Sequence, residues 1–346
     1  MTYRCNHSCL FCSCPWFAPD GRFDVRPELD PHEWMDLITQ LASMGVTHFS
    51  FSGGEALLKD GLFDIIAHAA QQHSRAIEVS DGLLHNTVKW PGLSLLSNGR
   101  LVDRSVVDFC RAHSIQLSLS LPGLRTFGSL TGGDPDLVIE AFRLARRAGV
   151  FTVLGIAVTK VNLPELYDTI SQGLLAGADT VLLNRFLPGG RGLMHQDKLQ
   201  LSSPEVLAML DTAEEVLAAA DRRGSLGTEI ALCQLPQDRT YRHITVGSTC
   251  AAAKSFFVVD PSGYIRVCNH SPVRLVHCRD IDTLPQDPYW QGFVFRRYLP
   301  AACSGCDVGH KCDAGCREAA HISCGVVDAV EPGYDVRPFT TSSQPT

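Results

Sequence analysis

A chain of 346 residues, 45% of them apolar, is long enough to bury one full core and a smaller appendage, so two domains are expected. Its formal charge of -7, with 30 Lys and Arg against 37 Asp and Glu, argues against a polyanion as the main partner, and no nucleic acid is expected. No apolar run reaches the roughly 18 residues of a membrane-spanning helix and the first residues lack the order of a signal peptide, which points to a cytoplasmic protein with no membrane partner. The cytosol keeps thiols reduced, so the fourteen cysteines are read as metal or cluster ligands rather than disulfides. Cys5, Cys9, Cys12 and Cys14 crowd the start, Cys110 stands alone, and the others lie between Cys233 and Cys324.

In chain order, Asp30-Pro31-His32-Glu33 offers an N-cap, a proline in the first helical position and an acid in the first turn. Trp34, Leu37, Ile38 and Leu41 follow at helical spacing until Gly45, and Thr47 to Ser52 reads as a strand. Strands also fit Leu93 to Ser97 and Ile115 to Leu121, with a helix from Asp103 to His113 between them. Asp134-Pro135 caps a helix with an apolar face through Val138, Ile139, Phe142 and Ala145, stopped by Gly149 and followed by the strand Phe151 to Val158. The helix Pro164 to Gly177 and the strand Thr180 to Asn184 repeat the pattern. Helices between successive strands imply parallel pairing with right-handed crossovers, hence an α/β barrel or doubly wound sheet. A capped helix from Ser203-Pro204 to Arg223 leads out of that body, and Ser255 to Val267 reads as a hairpin turning at Asp260-Pro261-Ser262-Gly263. From about Glu331 the tail is rich in Pro, Ser and Thr and reads as unpacked. The expected division is 1-200 for the barrel core, 201-245 for a linker helix and connection, 246-330 for a cysteine-rich domain and 331-346 for a flexible tail.

Cys5-x3-Cys9-x2-Cys12 puts three thiolates on one short loop, enough for three corners of a cubane cluster with one iron left open to a small molecule. By itself the stretch also fits a four-coordinate zinc site with Cys14 as the last ligand. Ser52-Gly53-Gly54-Glu55 follows a strand, where the glycines allow close backbone approach to a ligand and Glu55 can accept from an ammonium group. Together the two motifs resemble the radical S-adenosylmethionine superfamily over residues 1 to 195. The resemblance implies a partial (β/α)6 TIM-like barrel, a [4Fe-4S] cluster on Cys5, Cys9 and Cys12, and S-adenosylmethionine beside it. Leu96-Ser97-Asn98-Gly99 and Ser118-Leu119-Ser120 resemble the family's third- and fourth-strand cofactor contacts, so Ser52, Gly53, Gly54, Glu55, Ser97, Asn98 and Ser120 are the expected cofactor residues. Where many relatives place an arginine, this chain has Leu130-Thr131-Gly132-Gly133. Most of the family's first strand is missing before Cys5, so the true start is expected upstream of Met1.

Cys250-x12-Gly263-x4-Cys268, Cys303-x2-Cys306-x5-Cys312-x3-Cys316 and Cys324 resemble the SPASM domain, which implies two auxiliary four-iron clusters. By that resemblance Cys303, Cys306, Cys312 and Cys324 hold the outer cluster, while Cys250, Cys268 and Cys316 hold the inner one. Its fourth ligand is expected to be Cys233, with Cys278 or an open site as the alternatives. Cys110 reads as a small buried apolar residue.

The family resemblance implies that a 5'-deoxyadenosyl radical takes a hydrogen atom from an unactivated carbon, after which an auxiliary cluster removes the remaining electron. Proteins with both domains are most often peptide maturases, and Leu183 to Phe186 with Pro188-Gly189-Gly190-Arg191-Gly192 resembles that group. The implied partners are a precursor peptide, an electron donor such as flavodoxin or ferredoxin, and a separate leader-peptide-binding protein. The alternatives are oxidation or epimerisation of a sugar- or aminoglycoside-type metabolite, and a non-catalytic zinc or iron–sulfur binding protein.

Overall fold

Helix α1 (Pro31–Ser43) starts where an Asp30 carboxylate oxygen accepts from the Glu33 amide at 2.9 Å while Glu33 accepts from the Asp30 amide at 2.9 Å. This reciprocal cap satisfies amides that the first turn leaves without helical partners. The computed structural model describes residues 1–339 other than 22, 82, 237, 335 and 337. After α1 come β1 (His48–Phe51), α2 (Leu62–Ala70), β2 (Ser74–Ser80), β3 (Leu83–Lys89), β4 (Gly92–Ser97), α3 (Arg104–Ala112) and β5 (Gln116–Ser120). The chain continues through α4 (Phe127–Thr131), α5 (Pro135–Ala148), β6 (Thr152–Val158), α6 (Leu166–Ala176), β7 (Thr180–Arg185), α7 (Gln196–Leu199), α8 (Ser203–Ala220), β8 (Gly224–Leu226) and β9 (Ile244–Thr245). It ends with β10 (Val258–Val259), β11 (Ile265–Arg266), α9 (Pro288–Val294) and α10 (Arg317–Cys324).

Seven parallel strands form one sheet in the order β1-β4-β5-β6-β7-β8-β9. The order never reverses, so right-handed crossovers leave every connecting helix on the same face. The helices accordingly pack against one another, α1 on α2, α3 on α5, α5 on α6 and α6 on α8. Such an arrangement is an opened barrel and not a doubly wound sheet, whose switch point would divide the helices between two faces. Leu95, Leu117, Leu119, Leu154 and Leu183 are fully buried in the core between sheet and helices. No helix among the described residues is long and apolar enough to cross a membrane.

The barrel strands expected from sequence are present to within one residue at each end. Cys110 is fully buried in the core, and β10 pairs with β11 around the Asp260 to Gly263 turn. Three features differ from expectation. An antiparallel hairpin, β2 with β3, stands between α2 and β4. Residues 201-245 are more than a connection, because β8 and β9 extend the sheet beyond β7. The tail is packed from Glu331 to Tyr334: the Glu331 carboxylate pairs with Arg185 at the end of β7 and accepts from the Cys316 amide at 2.6 Å, while the Arg185 guanidinium lies 5.2 Å from the Tyr334 ring centroid. One buried charge met by a buried partner holds a segment that apolar composition would not. Residues 340–346 lie outside the described residues.

Arg185 and Glu331 are 3% and 2% exposed, so removing one strands the other in a dry interior. We expect Glu331→Ala to lower unfolding free energy by about 3–5 kcal/mol, read from urea midpoints followed by circular dichroism. A loss under about 1 kcal/mol, the value of an exposed pair, would contradict this burial.

Candidate functional site

The parallel strands end on one mouth, and the segment leading to Cys5 is stitched to it. The Gly54 and Glu55 amides donate to the Thr2 and Arg4 carbonyls, each at 2.8 Å. A Cβ on Gly53 would lie 2.7 Å from the Thr2 oxygen, and one on Gly54 would lie 2.2 Å from the Arg4 oxygen. The close approach that these glycines permit is therefore to the chain entering the cysteine loop.

That loop is pinned from several sides. The Ser8 amide donates to the Thr131 carbonyl at 3.0 Å and the Leu10 amide to the Leu130 carbonyl at 2.8 Å. Arg191 donates to the Cys9 carbonyl at 3.2 Å, the Gly192 amide to the Cys12 carbonyl at 3.1 Å, and Arg100 to the Asn6 carbonyl at 3.0 Å. Cys9 senses the charge of Cys5 and Cys12, Cys5 senses that of Cys12, and Arg191 favours the thiolate at each. Burial, with Cys12 and Cys5 adding to it, pushes the Cys9 thiol up to about 12. Cys12 is drawn down to about 7, chiefly because the Cys14 thiol hydrogen-bonds to it. Among the described residues no three His, Cys, Asp or Glu groups are gathered tightly enough for a single metal ion. Three thiols on one pinned loop, each within reach of the Arg191 charge, suit a cubane, whose ligands stand farther apart than those of one ion.

The expected cofactor residues divide into two kinds. Glu55 is 2% exposed, with its oxygens accepting from the Asn98 amide at 2.8 Å and the Leu57 amide at 3.1 Å, and burial raises its carboxyl. It thereby joins the ends of β1 and β4. Ser97 is buried and accepts from the Gly99 amide at 3.1 Å. Asn98 donates from its side chain to Asn6 at 2.7 Å and reaches the cysteine loop itself. Ser52, Gly53 and Gly54 are half-buried along the mouth, and Ser120 is exposed at the end of β5.

Two contributors were not read from sequence as parts of the site. Leu130 and Thr131 supply carbonyls to the loop, and a Cβ on the following Gly133 would lie 2.6 Å from His7 Nε2. Arg191, lying 4.8 Å from the Phe17 ring centroid, brings the cation nearest the three thiols. The signal for both was a run of glycines beside a residue with no partner of its own in sequence.

The C-terminal cysteines fall into two groups. Cys250, Cys268 and Cys316 influence one another in sequence, Cys268 sensing Cys250 and Cys316 sensing Cys268, and burial raises all three thiols. This group is the one nearer the barrel mouth, since buried Arg266 senses both Cys14 and Cys268. His270 lies against Gly189 at that mouth, with Nε2 buried and lacking a hydrogen-bond partner among the described residues. Cys233, expected with this group, instead lines one cavity with Cys303, Cys306 and Cys312. Cys324, expected with those three, is exposed at the end of α10, and Cys278 has Arg279 and Glu33 as its charged neighbours. Buried Asp313 joins the two groups: it accepts from the Cys250 amide at 2.6 Å and from Arg296 at 2.6 Å, while Arg296 donates to the Cys312 carbonyl at 2.9 Å.

Residues 1–172 match the radical SAM superfamily. Over nearly its whole length the chain is similar to proteins described as PqqA peptide cyclase. That of Gluconobacter oxydans is 24% identical over 352 residues, covering 98% of this chain and 90% of its own. That of Xanthomonas campestris is 26% identical over 348 residues, covering 96% and 84%. Streptococcus suis SuiB bound to S-adenosylmethionine superposes with a TM-score of 0.70 at 15% identity, over 95% of this chain and 74% of its own. Native anSMEcpe with bound AdoMet superposes at 0.67 and 16%, over 92% and 88%. At these identities the structural likeness is one of fold.

The packing of Gly133 on His7 predicts that Gly133→Ala displaces the loop and lowers the iron retained by the Cys5–Cys12 group after anaerobic reconstitution. Gly128→Ala, whose nearest neighbour would be 3.6 Å away, should leave it unchanged. Equal iron in both variants would show that the Gly133 contact does not hold the loop.

Proposed function

Because the chain belongs to the radical SAM superfamily and its likeness to peptide cyclases runs on through the cysteine-rich end, we propose that it dehydrogenates or cross-links side chains of a ribosomally made peptide. The observation that carries this reading is the coverage of 98% of the chain, since the barrel half by itself is compatible with many substrates. Support comes also from two relatives in fold whose structures hold peptides, SuiB with its precursor peptide SuiA and anSMEcpe with the Kp18Cys peptide.

When bound, the [4Fe-4S] cluster on Cys5, Cys9 and Cys12 with S-adenosylmethionine supplies hydrogen-atom abstraction from an unactivated carbon, and auxiliary clusters on the C-terminal cysteines take up the remaining electron. The chain's own part is placement and the exclusion of water. Three thiols on a pinned loop leave one corner for the cofactor, and Arg191 offsets the negative charge that gathers there. Glu55 presents its carboxylate at the mouth from a fixed rotamer, held by two amides, and is read as the acceptor for the cofactor's ammonium group. Asn98 and exposed Ser120 offer polar groups from the neighbouring strand ends. Tyr3, Trp16 and Phe23 form an aromatic cover on the auxiliary side, with Tyr3 and Trp16 ring centroids 5.2 Å apart and the Arg266 guanidinium 5.9 Å from Trp16.

An electron donor such as flavodoxin or ferredoxin and a separate leader-peptide-binding protein complete the reading. A cytoplasmic location belongs to the same reading, since thiolates that ligate clusters call for a reducing compartment. The test incubates reconstituted, reduced protein with S-adenosylmethionine and each short peptide encoded beside its gene. The expected result is 5'-deoxyadenosine formed together with a peptide lighter by two hydrogens, and Cys9→Ala should abolish both while retaining auxiliary iron. Turnover of the cofactor with every peptide left unchanged would refute the peptide substrate.

A further inference from the structure

The grouping of the C-terminal thiols points to a ligand set of this chain's own. A short 3-10 turn, Leu232–Gln234, sets Cys233 beside the Cys303–Cys312 segment. The Leu232 amide donates to Cys312 Sγ at 3.4 Å, as does the Ala314 amide at 3.4 Å. The turn is anchored from behind by the Ser203 hydroxyl, which donates to Gln234 at 2.7 Å. Cys233, Cys303, Cys306 and Cys312 all open into one cavity, whose other walls include Leu299 and Val308. Amide donors aimed at sulfur inside an apolar wall are the surroundings that stabilise a thiolate ligand and set a cluster's potential.

Cys324 is placed differently. Cys316 is the N-cap of α10, and every residue from Arg317 to Cys324 is helical. At a rise of about 1.5 Å per residue, Cys324 stands roughly 12 Å along the axis from Cys316, and it is not among the residues that line the cavity of Cys303, Cys306 and Cys312. The helix buries Arg317, Glu318, Ala319 and Ala320 at its start and leaves Cys324 exposed at its far end.

We propose that Cys233, and not Cys324, completes the ligand set of the outer auxiliary cluster with Cys303, Cys306 and Cys312. Cys250, Cys268 and Cys316 are then the three thiols left for the inner cluster. The inner cluster therefore has one corner for a ligand other than cysteine. This inference rests on the auxiliary-cluster part of the proposed function and is independent of the peptide.

Two measurements test it. In the first, parent, Cys233→Ala, Cys324→Ala and Cys303→Ala are reconstituted anaerobically, and iron, sulfide and electron paramagnetic resonance spectra are compared. Cys233→Ala should reproduce Cys303→Ala, losing about a third of the parent's iron or converting one auxiliary cluster to a three-iron signal, while Cys324→Ala matches the parent. A spectrum altered by Cys324→Ala, or unaltered by Cys233→Ala, overturns the assignment. The second uses the loaded parent, so that misfolding of a variant decides nothing: iodoacetamide should alkylate Cys324 and spare Cys233 until the iron is removed by a chelator. Alkylation of Cys233 as fast as Cys324 in the loaded protein overturns it as well. A parent that binds only about four irons per chain removes the auxiliary clusters themselves and this assignment with them, a result distinct from either variant outcome.

Discussion

The segment from Cys5 to Cys12 contains no helix or strand, and the turn in which the Cys12 amide donates to the Cys9 carbonyl at 3.3 Å is too little to fix where its three thiols point. Its shape comes from what it touches. Carbonyls of Leu130 and Thr131 hold it on one side, Arg191 and Gly192 on another, and Asn6 is gripped by Asn98 and Arg100. Asn98 and Arg100 follow the end of β4, Leu130 and Thr131 close α4, and Arg191 and Gly192 lie on the connection after β7, so the barrel acts as the jig for the loop. Precise placement of reacting groups depends on such support from rigid elements. The glycines at 53, 54 and 133 serve the same end, since a side chain at any of them would meet the loop or the chain leading into it.

Away from the barrel the organising forces are buried charges. Beside Ile265, Ile281 and Leu284, which join the main core, the C-terminal domain has a small apolar cluster of its own around Val267, Phe293 and Tyr298. Asp313, fully buried, gathers Lys254, Arg296 and the Cys250 amide. Arg317, also fully buried, donates to the carbonyls of Val327 and Ala329 and so closes the chain after α10. Arg185 and Glu331 join this domain to the sheet. Charges buried with matched partners are costly to separate, which gives a loop-rich domain a single arrangement of its cysteines before any metal is bound.

The two halves meet at Arg266. Burial lowers its affinity for a proton, Asp260 and the thiols at Cys268 and Cys14 oppose that, and Trp16 and Phe23 flank its guanidinium. A cation fixed between the N-terminal cysteine loop and the inner C-terminal group stabilises negative charge on either side of it. Arg266 is thus a buried residue shared by the N-terminal cysteine loop and the inner C-terminal group.

How much of this was legible beforehand follows from the range of the interactions. The strands, the capped helices at Pro31 and Pro135, the β10–β11 turn and the Cys5-x3-Cys9-x2-Cys12 loop are written in patterns a few residues long, because capping, periodicity and turn chemistry act over that distance. The short strands β8 and β9 carry too few residues for any period and exist because β7 offers them an edge. The tail's place depends on Glu331 meeting Arg185 across 146 residues, and the grouping of Cys233 on a contact between Leu232 and Cys312 across 80. The order of the barrel elements and the spacing of the N-terminal cysteines can be read from the sequence alone. Which thiols share a cavity, and which carbonyls and cations hold the cysteine loop, was decided by tertiary structure, because packing brings together residues that no local rule relates.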